Sequence, residues 1–288
     1  MIAVLTDLLN LLDLDEVGAG AFRGTQPDPP NHHIVGGQIA AQALMAASRT
    51  APDRPPNSLH VYFLRFGDAR LPVAFDVVAL RDGGKFSVRR VTAAQQGDVL
   101  MEGLASFTGG VDNAEYQDAM ADAPPPDALL RVEEQLAPFA HEFDGWWVQK
   151  RAFETRYVDS PPRIAVESAG PPQRLSRIWL HADGEVPDDP VVNGCVVTYL
   201  SGLTLLEPAT TVMQKEQKGT GFSALLDHAV WFHRRANFSD WLLLEQRSPS
   251  AVSGRALATG TIYNRSGDLV CTAIQEGYFG ERIARVPA

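Results

Sequence analysis

Apolar residues fall into two kinds of run, and the two kinds return in the same order along the chain. From Ile34-Val35-Gly36-Gly37-Gln38 through Ala47, small and apolar residues predict a helix that opens on glycine. Leu59-His60-Val61-Tyr62-Phe63-Leu64-Arg65 then begins a train of strand-like segments. The second half repeats this order. Asn193-Gly194-Cys195 opens another helical run, and Ala229-Val230-Trp231-Phe232-His233-Arg234 another strand train. Gly97-Asp98-Val99-Leu100 and Gly267-Asp268-Leu269-Val270 even repeat the last turn. Two copies argue for a pseudo-dimer and against a solenoid.

Local signals place the boundaries. Asp189 can cap free amides and Pro190 suits a first helical turn, so the second helix starts there, with Pro208 expected to bound its far end. Phe153-Val158 and Leu175-Leu180 alternate as strands and begin the second copy. Arg81-Asp82-Gly83-Gly84-Lys85 and Asn264-Arg265-Ser266-Gly267-Asp268 read as hairpin turns. After Phe107-Thr108-Gly109-Gly110 the chain turns acidic and rich in Ala and Pro around Pro124-Pro125-Pro126, with a short helix expected over Asp127 to Leu136. The implied division is a first domain over 1–112, a linker over 113–150 and a second domain over 151–288. One long helix followed by about four antiparallel strands, twice, gives an α+β fold with a sheet wrapped around each helix. Edge-to-edge joining of the two sheets would remove an exposed edge from each half.

Composition narrows the function. The chain has 288 residues, 45% of them hydrophobic, enough for two cores. No apolar run is expected to reach the roughly 20 residues of a membrane span. The start, Met1-Ile2-Ala3-Val4-Leu5-Thr6-Asp7, reads as an amphipathic helix and not a signal. Cys195 and Cys271 form no metal-binding or disulfide pattern, which fits a reducing cytoplasm. A net charge of −10 disfavours nucleic-acid binding. Arg89-Arg90 and Arg234-Arg235 are the basic pairs available to a phosphorylated ligand, although such pairs are more often solvated surface charge. GxSxG, GxGxxG and GxxxxGK are all absent.

These segments resemble the acyl-CoA thioesterase II family over nearly the whole chain. The resemblance rests on Val35-Gly36-Gly37-Gln38, Ala41-Gln42-Ala43-Leu44, Ser58 through Asp68, Asp227 through Arg234, and Gln275-Glu276-Gly277. It implies a double hotdog, each repeat a long central helix wrapped by an antiparallel sheet. It further implies hydrolysis of fatty acyl-CoA to free acid and coenzyme A by an activated water, without a covalent intermediate. No cofactor or metal is implied, and a homodimer or higher homo-oligomer is. The family's water-positioning trio of Asp, Ser or Thr, and Gln maps onto Gly202, Leu225 and Gln275. Only the Gln is present, and a neutral amide cannot serve as a general base.

Two readings follow. An active hydrolase would draw its base from elsewhere, with His33, Asp227, His228 and the less well placed Glu207 as candidates and the Gly37 amide available to a thioester oxygen. The alternative is a weakened or inactive protein that still binds acyl-CoA. His60 and His228, next to aromatic residues on strands, read as hydrogen-bonded structural histidines ahead of catalytic ones. A hydratase would need Asp and His on one face, whereas Asp227 and His228 are strand neighbours and point apart.

Overall fold

Strand-like alternation becomes sheet in both halves of the chain. The computed structural model describes residues 2–27, 33–110, 113–217 and 222–280. The first half holds β1 (Asp15–Gly18), β2 (Ala21–Gly24), β3 (Pro56–Phe63), β4 (Val73–Asp82), β5 (Phe86–Gln95) and β6 (Asp98–Thr108). The second holds β7 (Phe153–Tyr157), β8 (Leu175–Ala182), β9 (Phe222–Leu225), β10 (Asp227–Phe232), β11 (Leu242–Val252), β12 (Arg255–Asn264) and β13 (Leu269–Gly280). All pair antiparallel in one 13-stranded sheet of order β1-β2-β4-β5-β6-β3-β10-β13-β12-β11-β8-β7, with β9 paired to β13.

That order reads as two mirror-ordered halves meeting at β3 and β10, where Asp227 faces Tyr62, Ala229 faces His60 and Trp231 faces Ser58. The expected edge-to-edge join is therefore this pair, and the double hotdog is the fold. The first repeat is larger than the sequence suggests, because the β1-β2 hairpin precedes its central helix as the expected β7 and β8 precede that of the second.

The helices are α1 (Leu5–Leu12), α2 (Gly36–Arg49), α3 (Val132–Gln135), α4 (Pro162–Glu167), α5 (Pro190–Thr204) and α6 (Glu207–Gln217). The long central helices are α2 and α5. Residues Gly37 to Ser48 of α2 are all buried, which an alanine-rich sequence permits because small side chains let sheet and helix approach from every side. Asp189 caps α5 by accepting from the amides of Val191 and Val192, with Pro190 at the first position.

Two expectations need correction. Pro208 does not end the second central helix; α5 stops at Thr204 and Pro208 sits in the first turn of α6. The helix expected over Asp127 to Leu136 is a 3-10 turn at Pro126–Ala128 followed by the four-residue α3. The helical stretch Pro190–Lys215 is long and apolar enough to cross a membrane by length and composition alone, its apolar window having a mean hydropathy of 1.2. Its apolar window is 72% buried inside the protein, so it reads as a core element.

Candidate active site

The two central helices cross at glycine. A Cβ on Gly202 would lie 2.5 Å from the Gly37 Cα and 3.1 Å from the Gly37 nitrogen. The reverse holds too, since a Cβ on Gly37 would lie 2.7 Å from the Tyr199 carbonyl oxygen. Neither position has room for a side chain at this separation. The Gly37 amide belongs to the first turn of α2, before the first intrahelical bonds, which Gln38 and Ile39 make to the Val35 carbonyl. Its nitrogen lies at the crossing, 3.1 Å from where a Gly202 Cβ would stand.

Beside this crossing the sheet contributes two polar side chains. His228 on β10 and Gln275 on β13 are both fully buried, on strands whose next pair is Ala229 with Ile274. His228 Nε2 is 3.1 Å from Ser201 Oγ of α5 and 3.7 Å from the point where a Gly202 Cβ would stand. The Ser201 hydroxyl also reaches the helix carbonyls of Val197 at 3.0 Å and Thr198 at 3.2 Å. His228 Nδ1 and both amide atoms of Gln275 have no hydrogen-bond partner among the described residues. Buried polar atoms are seldom left so. Burial pushes the His228 imidazole down to about 4, which leaves it neutral near pH 7.

The equivalent place in the first half is apolar. Superposing the repeats by their common strand order matches His228 with Leu59 and Gln275 with Ala105, which face each other across β3 and β6. Duplication supplied the scaffold twice, and polar chemistry stands at one of the two equivalent places.

The remaining candidates lie apart. Leu225, on β9 opposite Gly277, reaches over Gly36, where a Cβ would come 2.3 Å from its Cδ1 and 3.2 Å from Phe63. It covers the start of α2 with alkyl surface. Asp227 occupies the opposite face of β10 from His228, accepts from the Glu276 amide at 2.9 Å, and has its carboxyl raised by burial. As a substitute base beside Gln275 it is corrected by this orientation. His33 is exposed and edges the Phe66 ring at 6.4 Å.

The arginine pairs do not form one anion site. Arg89 is buried, not solvated, and binds Thr50 and Asp82, whereas Arg90 is exposed on the other face of β5. Arg234 pairs with Glu115 at 3.0 Å and Arg235 with Asp188 at 2.8 Å.

Glu207 heads α6 and points elsewhere in the core. Its carboxylate accepts from the Tyr157 hydroxyl at 3.0 Å and from Gln246 Nε2 at 3.3 Å. Burial raises it to about 7, the Tyr157 and Gln246 hydrogen bonds only partly opposing this. A cavity of about 430 Å³ opens at the start of α5 between Leu9, Leu12, Met45, Arg49, Val191 and Val192. It touches neither His228 nor Gln275.

The Ser201–His228 contact escaped the sequence, because the two residues stand on different elements and each reads as ordinary. Its only local signal was the place of Ser201 beside Gly202 and of His228 after Asp227.

Residues 26–108 match the model of the acyl-CoA thioesterase N-terminal domain, and residues 148–278 match that of the acyl-CoA thioesterase family. Acyl-CoA thioesterase 2 of Haemophilus influenzae is 33% identical over 95% of this chain and 97% of its own. Among solved structures, the tesB protein of Mycobacterium avium subs paratuberculosis is 44% identical, with a TM-score of 0.80 over 96% of this chain and 99% of that one. The acyl-CoA thioesterase II TesB2 of Mycobacterium marinum is 36% identical, with a TM-score of 0.78 over 96% and 98% of the two chains.

Proposed function

The chain belongs to the acyl-CoA thioesterase family, and from that membership together with the buried polar site we propose that it hydrolyses acyl-CoA to a free acid and coenzyme A. The observation that carries the reading is the set of unpartnered buried atoms, Gln275 Nε2, Gln275 Oε1 and His228 Nδ1, beside the Gly37 helix start. Hydrolysis of a thioester needs an oriented water and donors for the developing oxyanion. It needs little acid help, because a thiol with a pKa near ~8.5 leaves readily as thiolate. Gln275 can hold the water through its carbonyl oxygen, and amides at the start of α2 can stabilise the oxyanion.

The second reading is acyl-CoA binding without efficient turnover, favoured by glycine at 202 and alkyl surface at 225. Release of free thiol from a panel of acyl-CoAs separates the two. Hydrolysis predicts rates well above background, and Gln275→Ala should lower kcat by roughly a hundredfold if the amide orients the attacking water. Background rates across the panel with binding intact would leave the binding protein.

A homo-oligomer in the cytoplasm completes the proposal. Tyr62 and Leu104 are exposed on the outer sheet face near the join, and Trp231 is half-buried beside His60. Both free cysteines are buried, which suits a reducing compartment. Light scattering on the full chain, compared with Tyr62→Lys, tests the assembly.

A further inference from the structure

We propose that His228 takes the proton from the attacking water, with Ser201 as the positioning residue that fixes its tautomer and Gln275 holding the same water. This rests on the acyl-CoA hydrolysis proposed above. The close packing at Gly202 is the starting point: a Cβ built there would lie 2.5 Å from the Gly37 Cα, 3.1 Å from the Gly37 nitrogen and 3.7 Å from His228 Nε2. The imidazole therefore stands at the crossing where α2 presents its first amides, and the crossing leaves residue 202 no side chain of its own.

The hydroxyl of Ser201 sets the proton on the ring. Its one proton goes back to the helix, to the carbonyl of Val197 at 3.0 Å or Thr198 at 3.2 Å, so its oxygen accepts from His228 Nε2 at 3.1 Å. His228 then carries its hydrogen on Nε2 and a lone pair on Nδ1. That lone pair is fully buried and without a partner among the described residues, as are both ends of the Gln275 amide on the neighbouring strand. A water held by Gln275 Oε1 could donate its second hydrogen to Nδ1, an arrangement a single water satisfies with ordinary hydrogen bonds.

Base strength supports the exchange. No charged side chain shifts this ring; burial alone brings it to about 4. From α5 the ring meets Ser201, from the crossing Gly202, and along β13 its neighbour is Gln275, while Asp227 and Glu276 occupy the outer face. A base whose conjugate acid titrates near 4 matches an ordinary aspartate, about 3.9, so the imidazole can do a carboxylate's work without loss of basicity.

In the reaction the water oxygen forms a bond to the thioester carbon as Nδ1 takes its proton. The carbonyl electron pair moves to the oxygen, facing the α2 amides. Collapse re-forms the C=O and breaks the C–S bond, coenzyme A leaves as thiolate, and the imidazolium returns the proton to sulfur. Ring and enzyme end as they began.

Thiol release and acyl-CoA binding would be measured for the native protein, His228→Asn, His228→Ala and Ser201→Ala. His228→Asn and His228→Ala should lose roughly a hundredfold to ten-thousandfold in kcat while still binding acyl-CoA. Added imidazole should restore part of the His228→Ala rate. Ser201→Ala should lower kcat less, at unchanged KM. The native kcat/KM should stay level between pH 5.5 and 8.5, since the base is already unprotonated there. A folded His228→Asn with the native rate overturns the assignment, and so does a limb rising through pH 7, which belongs to Glu207. If both His228 variants fail to fold, the pH profile and Ser201→Ala decide: a level profile with a kcat loss at unchanged KM upholds the role, and any other result overturns it. Background rates from the native protein on every acyl-CoA would instead remove the thioesterase reading itself.

Discussion

A glycine can be a missing catalytic group or a steric necessity, and Gly202 shows how the two differ. In sequence it stands where the resemblance implies a carboxylate. In the fold it is half of a glycine contact between α2 and α5, with 2.5 Å between its would-be Cβ and the Gly37 Cα. We therefore expect Gly202→Asp to lower the melting temperature, as overpacking of a well-filled contact costs about 1–3 kcal/mol, and to bring no gain in thiol release. Thermal denaturation followed by circular dichroism checks the first part and a thiol assay the second; a stable, faster variant would show that the helices can part. At this scale the sequence was partly legible. Gln275 stood out because the resemblance singled it out. The His228–Ser201 pair did not, because 27 residues separate its members and only the wrapping of β10 around α5 brings them together.

Elements were legible where one signal dominated. Asp189-Pro190 announced α5, and alternation announced β7 and β8. The β1-β2 hairpin was missed because its strands have four residues each and every residue of β1 is exposed, so no apolar alternation marks it. The α6–β9 insertion was missed because Pro208 was read as a stop, when proline is equally at home in the first turn of a new helix. That insertion buries Glu207, and the consequence is a pH dependence. Its folded-state value of about 7 lies above the usual 4.5, so the stabilising contribution is complete below about 4.5 and is lost as pH rises through 7. The difference is on the order of 3 kcal/mol between pH 4 and pH 8. Glu207→Gln should therefore melt higher than the native chain at pH 8 and show little or no such advantage at pH 5. Equal shifts at both values would mean that the carboxyl is not titrating in the core.

The whole molecule is tied together by two features that no single repeat contains. The β3–β10 ladder makes one sheet of two, and the segment after β6 crosses to the second half, where it packs on the outer sheet face. Gln117 donates to the Gly267 carbonyl at 2.8 Å and accepts from the Leu269 amide at 3.0 Å, while the Trp179 indole donates to the Pro124 carbonyl at 2.9 Å. Met120, Ala123 and Leu129 pack against the cluster of Trp179, Trp241 and Leu243. The central helices also pack on each other, so pulling the halves apart would expose the buried Gly37–Gly202 contact and the polar site beside it. We expect the repeats to unfold as one unit. The chain carries a built-in probe: its five tryptophans, Trp146, Trp147, Trp179, Trp231 and Trp241, all lie in the second half. Tryptophan fluorescence thus reports the second repeat, the connecting segment and the join where Trp231 meets His60, while far-UV circular dichroism reports both repeats. Coincident melting curves are the expected result, because two-state behaviour requires different probes to agree. A circular-dichroism phase silent in fluorescence would mean that the first repeat unfolds alone. Ala229→Pro sharpens the comparison. Ala229 pairs with His60 on one side and Ile274 on the other, and proline there removes the backbone donor from a central strand. If the join carries the cooperativity, this substitution at the second repeat's edge should lower both curves together or split one transition into two, whereas a shift confined to fluorescence would locate the coupling elsewhere.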